Sequence, residues 1–228
     1  MHITQKAKRF FVTLLIAALC CGVWVPSARA AVRLPRALYL EETRPHTCTL
    51  ISATMLMRSA LYCNGSDLWK EIDEETVGNV AWRSGAGLVF SWTLETQDAA
   101  ITVEHTELSG ITEKALKKLL DAHPEGIVFY CGTVPHAVFL TDYADGVFYC
   151  ADTAGSLAHK RIPLADSWLG ERLGHDQDAI LEKATAYWAV TAYGSPDAGQ
   201  PQETPEHVKK QVRADQRGVR AVFESAGG

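Results

Sequence analysis

The stretch "HPEGIVFYCGTVPHAVFLTDYADGVFYCADTA" (residues 123–154) contains three runs rich in β-branched and aromatic residues: "GIVFYC" (126–131), "HAVFLTDY" (136–143) and "GVFYCAD" (146–152). Short loops join them, and such connections are open only to antiparallel neighbours. The stretch therefore predicts three adjacent strands of one antiparallel sheet. His136 opens the second strand and Asp152 ends the third. Whether they meet depends on the hairpin turn in "YADGV". A three-residue loop, Ala144 to Gly146 with Gly146 at positive φ, sets His136 opposite Ala154 and leaves Asp152 on the same face within diagonal reach. A two-residue loop puts the pair on opposite faces, because one step of register reverses every side chain.

Upstream, "CTLISATMLMRSALYC" (48–63) repeats apolar residues at three- and four-residue intervals, and Asn64-Gly65 is a stop signal. It predicts a helix buried over most of its surface. Thr47 is placed as its N-cap, so Cys48 falls in the first turn, where unpaired N–H groups and the helix dipole favour an anion. Residues 66–100 read as short helical pieces and glycine-rich loop, with Trp69, Trp82 and Trp92 as core residues. "AITVEHTEL" (100–108) reads as a strand. "TEKALKKLLDAH" (112–123) reads as a helix with Leu116, Leu119 and Leu120 on one side, ended by Pro124. Beyond the central stretch come helix-like "LADSWLGERL" and "DAILEKA" and a closing strand, "TAYWAVTAY" (185–193). A helix followed by an antiparallel sheet is an α+β order, and no internal repeat is apparent.

Residues 1–30 are set apart as a secretory signal: Lys6, Lys8 and Arg9 ahead of "FFVTLLIAALCCGVWV", then Ala28-Arg29-Ala30 as a cleavage site. The apolar run is short for a membrane span of roughly 20 residues, although an uncleaved anchor is the alternative. Leu19 before Cys20 does not suit a lipoprotein signal. The expectation is a secreted, extracytoplasmic protein with no stable membrane span after cleavage. Loss of the four basic residues of the signal takes the net charge from −5 to about −9, which argues against nucleic acid or another polyanion as partner. Residues 31–194 then form one domain. From Ser195 the sequence "SPDAGQPQETPEH" reads as a linker, followed to residue 228 by a charged tail with weak helical spacing. Oligomeric state is not readable.

Four cysteines follow the signal: Cys48, Cys63, Cys131 and Cys150. In an exported protein two disulfides are the default. A working thiolate at Cys48 instead leaves three cysteines and at least one more free thiol. No CxxC, HExxH, Walker loop, GxGxxG or GxSxG is present, and no metal or organic cofactor is implied. The Asn64-Gly65-Ser66 sequon occurs often by chance. His46, His105 and His123 read as surface or loop residues, with His46 a fallback base. Cys48, His136 and Asp152 are the types a thiol nucleophile needs. An imidazole takes the thiol proton and returns it to the leaving amine, while a carboxylate fixes the ring.

A cysteine opening a long buried helix, followed some 80 residues later by the quoted stretch, resembles the C39-like branch of the papain-like cysteine peptidases. The likeness covers roughly residues 40–192, and its specific part is about 50 residues. It implies a papain-like α+β fold, with Cys48 as nucleophile, His136 as general base and Asp152 as orienting acid, acting on a peptide or protein substrate. Two positions depart from the family pattern. Glu42 stands where the family usually has a glutamine as second oxyanion donor, and Cys48-Thr49-Leu50 stands where it usually has Cys-Gly-Pro. Either another group donates, or oxyanion stabilisation is weakened by about 10²- to 10³-fold in rate. Two alternatives accompany this reading. A transglutaminase-like domain uses the same residue order but usually has an aromatic where this chain has Val138; the other is an exported binding domain without turnover.

Overall fold

The computed structural model describes residues 33–196. The segment read as a secretory signal with its expected cleavage site, and nearly all of the expected linker and charged tail, lie outside the described residues. The described chain is α+β, built on one seven-stranded antiparallel sheet.

Five α-helices lie in this region: α1 (Cys48–Cys63), α2 (Glu74–Ala81), α3 (Glu113–Ala122), α4 (Trp168–Arg172) and α5 (Gln177–Glu182). A two-stranded ribbon, β1 (Trp82–Arg83) with β2 (Gly87–Leu88), precedes the main sheet. The sheet strands are β3 (Ser91–Glu95), β4 (Ala100–Glu107), β5 (Ile127–Cys131), β6 (His136–Ala144), β7 (Val147–Ala151), β8 (Arg161–Pro163) and β9 (Ala186–Gly194). Their order is β3-β4-β9-β5-β6-β7-β8, so the last strand in sequence closes the middle of the sheet.

Alternation along the central strands separates two cores. Val128, Ala137, Phe139, Ala151 and Trp188 face α1 and α2. Phe129, Val138, Leu140, Phe148 and Cys150 face α3, α4 and α5. With both faces covered, the central strands are apolar throughout rather than alternating. Helix α1 is enclosed in turn by the sheet, α2 and the segment Asp67–Lys70, and twelve of its sixteen residues are buried. Trp69 and Trp92 are buried and Trp82 packs at the edge of the same core.

The elements follow the sequence reading except in the glycine-rich region and at β8. Residues 66–100 include β3, which pairs with β4 from Ser91↔Glu104 to Glu95↔Ala100. Its pattern, "SWTLE", is only five residues of alternation, too little to stand out beside the glycines. Strand β8 is shorter still.

The hairpin turn resolves the open question of register. Ala144 pairs with Val147, so the loop is two residues, Asp145 and Gly146, both at positive φ (53° and 84°), as a type I′ turn requires. By that turn alone His136 and Asp152 would fall on opposite faces. A β-bulge between Leu140 and Asp142 restores the offset, so that Leu140 pairs with Cys150 and Phe139 with Ala151. The extra residue, Thr141, is held by hydrogen bonds from its hydroxyl to Asp142 Oδ1 (2.6 Å) and the Tyr149 carbonyl (3.0 Å). The bulge does what a three-residue loop would have done.

Leu56 is fully buried on α1. Leu56→Ala should lower the unfolding free energy by about 2–5 kcal/mol, measured by urea denaturation.

Candidate functional site

Cys48 is the first residue of α1. The turn before it is tied down on two sides. The Glu42 amide donates to the Thr153 carbonyl (2.9 Å), just past β7. Thr43 and Arg44 both bond Glu74 at the start of α2 (Thr43 Oγ1 to Oε2 2.8 Å, Arg44 Nε to Oε1 3.0 Å). His46, exposed, takes a left-handed conformation (φ 66°) to bring the chain into the helix, a strained geometry for a residue with a Cβ.

Thr47 occupies the N-cap position, but its hydroxyl donates to the Arg44 carbonyl (2.8 Å) instead of accepting from the first turn. The expected side-chain cap is therefore absent. The first helical bond runs from the Ile51 amide to the Thr47 carbonyl, so the amides of Cys48 and its two successors are left over from the helical ladder. Glu42 Oε1 accepts the Thr47 amide at 2.7 Å. The carboxylate thus lies beside the mouth of α1.

The structure joins His136 to Asp152: Nε2 lies 2.8 Å from Oδ1, with the carboxylate fully buried and His136 6% exposed. Asp152 is further held by the Ala154 amide at Oδ1 (3.0 Å) and the Trp168 amide at Oδ2 (2.7 Å). Burial alone would push its carboxyl pKa up. His136 and the two amides outweigh that and hold it below the usual range. Burial also works against a charged His136, but Asp152 and, after it, Cys48 prevail and raise its pKa to about 9. With Nε2 taken by Asp152, Nδ1 is the ring nitrogen left over. Cys48 itself is 8% exposed.

Trp168 was not singled out from the sequence. Its ring lies 4.9 Å from the His136 ring, tilted by 50°, while the Arg172 guanidinium covers it at 4.7 Å. Ser167, ahead of it, caps α4 through the Gly170 amide. A Cβ on Gly170 would lie 1.8 Å from the Ala165 carbonyl, so glycine there lets the short helix close onto the preceding turn. The available signal was "DSW", an N-cap serine followed by a large aromatic in the first turn.

The remaining thiols are of another kind. Cys131 and Cys150 are free and fully buried; burial raises the first to about 12 and the second well above its ordinary value. Cys63 contacts the Ser59 hydroxyl at 3.9 Å. The default pairing into two disulfides is not what the structure contains. His123 closes α3 beside Glu125, as a loop residue should. His105 departs from expectation, lying within β4 and stacked between rings. An open hollow of about 550 Å³ between α1 and α2 is lined by Arg44, Leu50, Asp73, Glu74, Gly78 and Trp82, and by none of the three site residues. Among the described residues no three His, Cys, Asp or Glu side chains are placed to hold a metal, and no helix is long and apolar enough to cross a membrane.

Comparison with family models, with curated proteins and with solved structures yields no match.

Folding tightens the hold of His136 on its proton. The stability it contributes is complete below its unfolded pKa of about 6.5 and is lost as pH rises through about 9. Urea denaturation of the wild type and His136→Gln at pH 6, 8 and 10 should show a gap of a few kcal/mol at pH 6 that narrows steadily to pH 10.

Proposed function

We propose that this chain is an exported, papain-like cysteine hydrolase that cleaves a peptide or related amide, as its resemblance to the C39-like peptidases suggests. The observation that carries the reading is the buried His136–Asp152 bond.

In this reading the Cys48 thiolate attacks the amide carbonyl carbon and a C–S bond forms. The amide of Cys48, unused by the helix, is one donor to the oxyanion. His136 gives its proton to the amine nitrogen as the C–N bond breaks, leaving a thioester. Water then attacks the thioester while His136 accepts its proton, and C–S cleavage releases the acid and restores the thiolate–imidazolium pair. Asp152 keeps Nε2 occupied and leaves Nδ1 to serve the sulfur. Trp168 packs on the His136 ring and limits its contact with water.

Glu42 favours the non-catalytic alternative, because an ionised carboxylate accepts hydrogen bonds where an oxyanion needs donors. Its Oε1 is already committed to the Thr47 amide. Glu42→Gln keeps an oxygen for that amide and presents an NH₂ beside the helix mouth. If oxyanion stabilisation is the weak point, that variant should raise kcat/KM by about 10²-fold. Incubation of a proteome-derived peptide library with the protein, Glu42→Gln and Cys48→Ala, followed by mass spectrometry of the new termini, tests both statements. Cleavage that disappears in Cys48→Ala and rises in Glu42→Gln supports the reading. Absence of cleavage in all three leaves the binding-domain alternative.

A further inference from the structure

The hollow between α1 and α2 is open, measures about 550 Å³ and is separate from the three site residues. Leu50, Gly78 and Trp82 supply its apolar lining, and Asp73, Glu74 and Glu75 its acidic one. Gly78 is the unexpected member. It lies inside an eight-residue helix and does not take a positive φ. A Cβ there would meet only the Leu50 methyl carbons, at 3.7 and 4.0 Å, which is ordinary contact. Neither backbone nor packing therefore demands glycine, and glycine costs the helix stability that alanine would give. What the missing side chain provides is space beside Leu50 and Trp82. The Trp82 ring lies against Gly87 of β2, 3.9 Å from where a Cβ would stand, so the ribbon holds this wall in place.

The charge of the hollow is uneven. Glu74 is engaged by Thr43 and Arg44, and Arg44 is the one base in the lining. Asp73 Oδ1 accepts the Thr76 hydroxyl (2.6 Å) and amide (2.8 Å), and these bonds hold its carboxyl below the usual range. Asp73 is thus ionised at pH 7 without an ion-pair partner among the described residues. Glu75 is exposed, and its carboxylate has no partner among them either.

A metal ion does not suit this lining, because no group of described carboxylates is placed to hold one. An elongated cation does: its alkyl stem packs on Trp82 and Leu50, its head meets the carboxylates, and the indole face adds a cation–π attraction. The net charge of −5 on the whole chain draws cations in from a distance. Arg44 also places the hollow beside the loop that leads, four residues later, to Cys48.

We propose that this hollow receives a lysine or arginine side chain of a peptide, with the stem against Trp82 and Leu50 and the charged head at Asp73 and Glu75. The proposal deepens the hydrolase reading and rests on it only for calling that peptide the substrate; binding needs no turnover.

The test is a calorimetric titration of the full-length Cys48→Ala protein with N-acetyl-(Gly)2-Arg-(Gly)2-amide and with its citrulline twin, which has nearly the same shape and no charge. The arginine peptide should bind about tenfold more tightly. Glu75→Lys, at an exposed position that folding does not need, should abolish that preference. Gly78→Leu fills the space beside Leu50 and should abolish binding of both peptides, with thermal melting as the check on its fold; if it does not fold, Glu75→Lys decides. Equal affinity for the twins, no detectable binding, or a preference that survives Glu75→Lys overturns the site. Absence of library cleavage with the preference intact would overturn hydrolysis and leave the hollow as a site for a basic peptide.

Discussion

The buried hydrogen bond between His136 and Asp152 exists only because two strands are held in one particular register. Asp145 and Gly146 make a two-residue turn, and the bulge at Thr141 adds the residue that turns both side chains to the same face. Neither device is sufficient alone. Removing one partner of such a buried pair costs about 3–5 kcal/mol, because the remaining charge is left uncompensated. The amides of Ala154 and Trp168 complete the carboxylate's shell, so the loop after β7 and the start of α4 are tied to the same bond.

Helix α1 brings the third group. Its burial between the sheet and α2 fixes where the helix begins, and the preceding loop is clamped by Glu42 to Thr153 and by Thr43 and Arg44 to Glu74. The thiol is therefore positioned by the core rather than by a mobile loop. The same clamp puts a carboxylate beside the helix mouth.

Long, strongly patterned elements were legible in the sequence: α1 from its apolar spacing and its Asn64-Gly65 end, and β5, β6 and β7 from their apolar runs. Cys48, His136 and Asp152 could be named because each sits at, or one residue past, the end of such an element. Other features were not legible. The bulge at Thr141 leaves no mark in composition, since a threonine suits a regular strand equally well. The failure of Thr47 to cap depends on the competing Arg44 carbonyl, which propensity does not register. Trp168 and His105 owe their positions to contacts distant in sequence, and β3 is too short to outweigh its glycines.

The central claim is a thiolate–imidazolium pair held together by Asp152. Its most direct test is the rate of iodoacetamide alkylation at Cys48, followed by mass spectrometry from pH 5 to 10 in the wild type and in His136→Ala. The account predicts rapid alkylation near neutral pH, well ahead of Cys131 and Cys150, and a fall of at least about tenfold in the variant. Slow alkylation that is indifferent to His136 would contradict it.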